Sequence, residues 1–243
     1  MSPWLITRAV EEAAPLVERL ERIGIPAAAF PCIERRPIEW IPDLETGSRR
    51  AAIFMVTSPF GARCLMAHWP QIQGRGKVAA MAPSTASVLE QAGIPVEISA
   101  TGGALALARA VASEARASNP VIFWLTSAAG LAEPEQEHAA ALLANAGELH
   151  RIIAYETRAP QELGEQMLRW QGQPASAVFF SPSACKHFVA ARGASGQGPL
   201  LEQIVCIGQS TLRAWSQLRP RDLPSPIYQV NEEDFVAWVA ASR

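Results

Sequence analysis

Hydroxyl side chains recur at four places where an apolar run gives way to a helical pattern: Thr57-Ser58, Ser84-Thr85, Ser181 with Ser183, and Ser210-Thr211. In a parallel sheet such turns lie beyond the carboxyl ends of the strands, the edge at which open α/β folds bind ligands. A helix starts there with unpaired N–H groups and a partial positive charge, which suits a carboxylate or a phosphate. Ser and Thr also favour these positions for a simpler reason, because their hydroxyls cap helices at a gain of about 1 kcal/mol each. Both roles stay open at each turn taken singly. Four such turns around one cleft would hold several carboxylates at once. Tyr155 is one of only two tyrosines in the chain. It ends an apolar strand, where a phenol serves either as a packing aromatic or as a proton donor.

Other catalytic templates are absent. The chain has no phosphate-binding GxxxxGK[ST] loop and no GxSxG nucleophile elbow, and Gly102-Gly103 stands as an isolated glycine pair. His68, His138, His150 and His187 lack the spacing of metal ligands. Cys32, Cys64, Cys185 and Cys206 form no CxxC pair and sit mostly inside apolar runs, where thiols behave as small buried hydrophobes. Neither a metal nor another cofactor is expected.

Composition narrows the function classes further. Of 243 residues 49% are hydrophobic, which excludes a disordered chain. A formal net charge of −2 without any Lys/Arg cluster argues against nucleic acid as a partner. Charges, Gly or Pro interrupt every apolar run before the ~20 residues that a bilayer span needs. The N-terminus shows no basic segment followed by an apolar one, so a cytoplasmic protein without a membrane partner is expected.

The elements that must position these hydroxyls alternate from end to end, as in α/β folds with parallel sheets. Strands are expected at Trp4–Thr7, Ile25–Phe30, Ala51–Val56, Val78–Met81, Val96–Ile98, Val121–Leu125, Ile152–Tyr155, Val178–Phe180, Ile204–Ile207 and Ile227–Gln229. Helices fit Glu11–Ile23, Phe60–Trp69, Ser84–Ala92, Ala104–Ala117, Glu135–Ala146, Glu162–Trp170, Ala184–Arg192, Thr211–Leu218 and Glu233–Ala241. In the first helix Leu16, Val17, Leu20 and Ile23 make one face, and Pro15 is compatible only with the first turn.

Two extended, proline-punctuated segments, Pro31–Asp43 and Arg151–Pro160, interrupt the rhythm. They read as linker strands, 36–40 and 153–160, between a discontinuous first domain (1–35 plus 161–243) and an inserted second domain (41–152). An internal repeat supports this plan. VTSPFGARCL (56–65) resembles FSPSACKHFV (180–189), and MAPSTASVL (81–89) resembles IGQSTLRAW (207–215). Ser58 and Ser181 are 123 residues apart, and Thr85 and Thr211 are 126 apart, so two domains of one architecture are expected.

The ordered set Leu5-Ile6-Thr7-Arg8, IFMVTSP (53–59), Ala82-Pro83-Ser84-Thr85-Ala86, Ala154-Tyr155-Glu156-Thr157, FFSPS (179–183) and IGQST (207–211) resembles the uroporphyrinogen-III synthase family over nearly the whole chain. The chain departs from that pattern at Ala9, at Met81-Ala82, and at Thr126-Ser127-Ala128-Ala129-Gly130, where the family carries Arg and Gly. The resemblance implies two flavodoxin-like parallel-sheet domains, one inserted in the other and joined by a two-stranded linker. It implies a cofactor-free, cyclising hydro-lyase of porphyrin biosynthesis, acting as a monomer. The substrate would be hydroxymethylbilane, a linear tetrapyrrole with eight carboxylates, closed to uroporphyrinogen III in a cleft between the domains. Carried onto this chain, it makes Tyr155 the candidate catalytic residue. Thr7, Arg8, Thr57, Ser58, Ser84, Thr85, Ser181, Ser183, Ser210 and Thr211 become candidate substrate contacts. The changed loop after residue 125 keeps a second possibility open, a non-catalytic module that binds a tetrapyrrole or another polyanion.

Overall fold

Apolar strands and amphipathic helices build two sheets, each with helices packed on both faces. The computed structural model describes residues 2–40, 51–116, 119–128, 134–218 and 222–242. The chain divides into two compact units, residues 1–34 with 158–243, and residues 35–157. The first unit opens with β1 (Trp4–Ile6), α1 (Val10–Arg22) and β2 (Ala27–Ala29), and β3 (Glu34–Pro37) leads out of it. The second unit comprises β4 (Ala52–Val56), α2 (Pro59–Ile72), β5 (Gly76–Met81), α3 (Ser84–Gln91), β6 (Ile98–Ala100), α4 (Ala104–Ala115), β7 (Val121–Ser127), α5 (Pro134–Ala144) and β8 (Glu148–Arg158). The chain then completes the first unit with α6 (Leu163–Arg169), β9 (Pro174–Phe179), α7 (Pro182–Ser195), β10 (Leu200–Ile207), α8 (Gln209–Leu218), β11 (Pro226–Gln229) and α9 (Glu232–Ala241). Among the described residues no helix is long and apolar enough to cross a membrane.

The strands read as unbroken apolar runs because both faces of each sheet are covered. In the second unit Ala52, Phe54 and Val56 of β4 join Val121, Phe123 and Leu125 of β7 in one core. The alternate residues Ile53, Met55, Ile122 and Trp124 fill the core on the other face. The first unit repeats this, with Leu5, Ala177 and Phe179 on one side and Trp4, Ile6 and Val178 on the other. Each large side chain so buried contributes about 1.5–3 kcal/mol, which makes the two-sided cores the main stabilising element of each unit.

The two sheets share one spatial order, traced differently by the chain. The first runs β11-β10-β9-β1-β2 and the second β6-β5-β4-β7-β8, with β3 added beside β8. All pairings along β11 to β2 and along β6 to β8 are parallel. Within the first unit the order is that of flavodoxin. Superposing the two orders matches β9, β10 and β11 to β4, β5 and β6, and β1 and β2 to β7 and β8. The internal repeat is therefore a circular permutation, because the second unit is inserted between β2 and β9. Ile38, just after β3, donates its N–H to the Ala154 carbonyl of β8 at 2.9 Å, so the two segments read as linker strands are neighbours.

Three local expectations are corrected. Pro15 is not in the first turn of α1; the helix starts at Val10, which puts Pro15 in the second turn, on the exposed side. There it removes an N–H that would bond to the Glu11 carbonyl, and burial of Ala13, Leu16 and Leu20 holds the helix together. The strand expected at Val96–Ile98 lies two residues later, at Ile98–Ala100; at Glu97 the backbone N–H still reaches the Val78 carbonyl at 3.0 Å, while the Glu97 carboxylate accepts the Val78 N–H at 2.7 Å in place of a backbone carbonyl. The strand expected at Ile152–Tyr155 extends over Glu148–Arg158, since much of the second extended segment continues the same ladder.

Candidate active site

In parallel sheets the strand order reverses direction between β4 and β7, and between β9 and β1, and ligands bind at the carboxyl side of such reversal points. In the second unit β4 ends at Val56, and Thr57 and Ser58 make the half-buried turn into α2. Ser58 is extended, with φ −143° and ψ 150°, and its Oγ accepts the Gly61 N–H at 3.0 Å. Pro59 follows at the first helical position, where its fixed φ suits the helix. Oγ of the same serine lies 2.8 Å from the phenol oxygen of Tyr155. The Phe60 ring meets Tyr155 edge to face, with centroids 5.1 Å apart.

Two backbone features deliver Tyr155 to this turn. The β7–β8 register shifts between Thr126 and Ser127, which pair with Ile153 and Tyr155, so Ala154 is the extra residue of a bulge. Consecutive strand residues normally point to opposite faces, yet Ala154 and Tyr155 enter the same core. Gly61 supplies the space: a Cβ there would lie 3.1 Å from Ser58 Oγ and 3.8 Å from Tyr155 Cε1. Tyr155 is 7% exposed, its carbonyl accepts the Ala128 N–H at 3.3 Å, and the neighbouring Thr126 hydroxyl donates to Gln136. Ala129 and Gly130 of the departing loop lie outside the described residues.

The corresponding turn of the first unit is built alike and equipped differently. Ser181 is extended, accepts the Ala184 N–H at 3.2 Å and precedes Pro182, with Ser183 half-buried in the first turn of α7. Thr7 is fully buried, and its hydroxyl donates to the Val178 carbonyl at 2.8 Å, tying the end of β1 to β9. Arg8 pairs with Glu232 on α9, and its guanidinium carbon sits 3.9 Å above the Phe180 ring. The buried stretch that follows β2 there, Phe30 to Ile33, holds no tyrosine.

The remaining hydroxyls do not cap. Pro83 holds the cap position of α3, leaving exposed Ser84 and buried Thr85 within the first turn, and the Thr85 hydroxyl has no partner among the described residues. Helix α8 starts at Gln209, after Gly208 at φ 80°, so exposed Ser210 and buried Thr211 also lie inside the turn. Gly61, Gln136 and Glu232 escaped the sequence reading. Only Gly61 left a trace there, as the residue after Ser-Pro-Phe.

Among the described residues no group of three or more His, Cys, Asp or Glu is placed to hold a metal ion. The His187 Nδ1 is occupied by the Cys32 carbonyl at 2.8 Å. Burial pushes the Cys64 thiol up to about 11 and raises Cys32 as well. The neighbouring Cys206 thiol, and then burial, raise Cys185. Since the thiolate is the nucleophile, these cysteines are packing groups.

The comparisons with known proteins converge on one name. A family model described as uroporphyrinogen-III synthase HemD matches residues 14–223. The uroporphyrinogen-III synthase of Chlorobaculum parvum (strain DSM 263 / NCIMB 8327) is 34% identical over 106 residues, 40% of this chain and 42% of that protein. The match thus spans less than half of that relative's length. A crystal structure of a mutant uroporphyrinogen III synthase from the extremely thermophilic bacterium Thermus thermophilus covers 100% of this chain and 97% of its own, at 15% identity and a TM-score of 0.57. That likeness is one of fold.

Proposed function

The chain belongs to the uroporphyrinogen-III synthase family, and from this membership we propose that it converts hydroxymethylbilane into uroporphyrinogen III and water. The enzyme is then a cyclising hydro-lyase. The observation that carries the proposal is the Tyr155 phenol, bulged out of β8 onto the first turn of α2 and hydrogen-bonded to Ser58.

The chemistry asks little of the protein in bond-breaking. The C–O bond of the hydroxymethyl group on ring A breaks as the pyrrole nitrogen pushes electrons in, the hydroxyl takes a proton, and water leaves. Tyr155 is assigned the donation of that proton. The resulting azafulvene is attacked by the substituted carbon of ring D, giving a spiro intermediate. Ring D then detaches from its old bridge, turns over and closes the macrocycle, and the proton it loses restores the phenol. Most of the work is positioning, holding rings A and D so that the substituted carbon rather than the free one attacks. The N-termini of α2 and α7, with Arg8, are the groups suited to the substrate's carboxylates.

The test is to incubate hydroxymethylbilane with the protein and separate isomers III and I. Isomer III is expected, and exclusive isomer I, the product of spontaneous closure, would leave the chain a non-catalytic relative. Tyr155→Phe should lower turnover about 10- to 100-fold, within the range of one lost proton donor. Tyr228→Phe, on β11 and 37% exposed, should leave it unchanged. Equal effects would remove the role given to Tyr155.

A further inference from the structure

We infer that Ser58 is a positioning residue for Tyr155 and not a substrate contact: its hydroxyl donates to the phenol oxygen and so leaves the phenol proton to the leaving hydroxyl. The inference rests on the proton-donor role proposed above for Tyr155.

The hydrogen-bond inventory of one hydroxyl carries the argument. A serine oxygen has one proton to give and two lone pairs to accept with. One lone pair is committed to the Gly61 N–H at 3.0 Å, and the contact to Tyr155 is 2.8 Å. Either oxygen can be the donor of that second bond. If Tyr155 donated, its only proton would be tied up inside the protein, and the Ser58 proton would need another acceptor. If Ser58 donates, both of its bonds are satisfied and the phenol proton points elsewhere. The Gly61 N–H, at the positive end of α2, draws electron density from the Ser58 oxygen and makes its proton the better one to give.

The permuted twin of this turn separates capping from the second task. Ser181 caps α7 through the Ala184 N–H just as Ser58 caps α2 through Gly61, each followed by Pro. Yet the stretch after β2, Phe30-Pro31-Cys32-Ile33, holds no tyrosine and so offers no phenol for a cap serine to meet. Helix capping therefore accounts for a serine at both turns and does not account for the serine–phenol bond, which among the described residues is found in the second unit. The Ala154 bulge and the missing side chain at Gly61 both serve that bond, since a regular ladder would turn the phenol away and a Cβ would press on Ser58 Oγ.

The experiment is a cycle of Ser58→Gly, Tyr155→Phe and the double variant, with kcat, KM and the ratio of isomers III and I measured for each. Glycine is chosen because it is tolerated at a helix cap while removing the hydroxymethyl group. Ser58→Gly should lower kcat about tenfold with KM within about twofold, and should have no further effect in the Tyr155→Phe background, the mark of residues acting as one unit. Ser58→Thr, which keeps the hydroxyl, should retain kcat within about threefold. A tenfold loss that persists in the Tyr155→Phe background, or a rise in KM at constant kcat, would show Ser58 meeting the substrate itself and overturn the inference. A second readout needs no turnover. With two tyrosines in the chain, ring-Cζ carbon labelling yields two resonances. Ser58→Gly should move that of Tyr155 and leave that of Tyr228, and an unmoved Tyr155 signal overturns the inference even if isomer III is made. A wild-type protein that makes isomer I alone overturns the synthase assignment instead, whatever the resonance does.

Discussion

Arg8 is held by two contacts, one charged and one aromatic. Its guanidinium is stacked on Phe180 and paired with Glu232, which also lies 3.8 Å from Arg19. Both partners are about one-quarter exposed, at 28% of side-chain area, so the pair is worth at most about 1 kcal/mol and can exchange for an incoming carboxylate. If Arg8 meets a substrate carboxylate, as proposed, Glu232 competes for it. Glu232→Gln should lower KM for the tetrapyrrole about two- to fivefold at low ionic strength, with kcat unchanged. The gain should fade by about 0.5 M salt, where screening acts over only a few ångströms. A KM that does not move would take Arg8 out of substrate binding. Thr7 contrasts with Arg8, because its hydroxyl is committed in a fully buried bond to Val178 and its place in the ordered motif reflects strand pairing. Residue type and spacing pick out both, but neither reveals that one is tied to the fold and the other held by an exchangeable ion pair.

At the scale of elements, what was legible followed from period. Helix α1 shows its buried face in Leu16 and Leu20, and α2 and α7 announce themselves through Ser-Pro, cap followed by first position. Side chains that act on the backbone were not legible. The Glu97 carboxylate takes the Val78 N–H in place of a backbone carbonyl just before β6, and the Ala154 bulge re-aims Tyr155, and no periodic pattern encodes either. The direction of Tyr155, on which the site depends, was therefore invisible although its identity was plain. Pro15 breaks a backbone rule inside α1, as Pro70 does near the end of α2. An interior proline is about 3 kcal/mol worse than alanine, and the freer unfolded chain of an alanine variant returns about 1 kcal/mol of that. Pro15→Ala should then stabilise the first unit by about 1–2 kcal/mol, read as a higher denaturant midpoint at constant slope. A lower midpoint would mean that the proline sets the path of α1 in a way its exposed position does not suggest.

The whole molecule is one architecture used twice with the chain cut at different points. The strand order common to β11-β10-β9-β1-β2 and β6-β5-β4-β7-β8 explains why the repeat offsets stay near 125 residues, and why the motif after β4 recurs after β9 rather than after β1. Permutation has a consequence for folding. The second unit is one continuous stretch, 35–157, with a core on each face of its sheet, whereas the first must bring together segments separated by that whole insertion. A continuous stretch with its own core has what independent folding requires. The excised segment 35–157 should show a cooperative unfolding transition and dispersed amide resonances. The first unit should survive replacement of residues 35–157 by a short Gly-Ser linker, because Glu34 and Arg158 are already paired side chain to side chain and closing a short loop between them carries little entropy. If the excised second unit stays unfolded while the full chain is native, the two units are one cooperative body, and the permuted repeat records ancestry without independence. If both pieces fold, Ser58 and Tyr155 should keep their hydrogen bond in the second unit alone, since all of the groups around them, from Gly61 to Leu125 and Ala128, belong to that stretch.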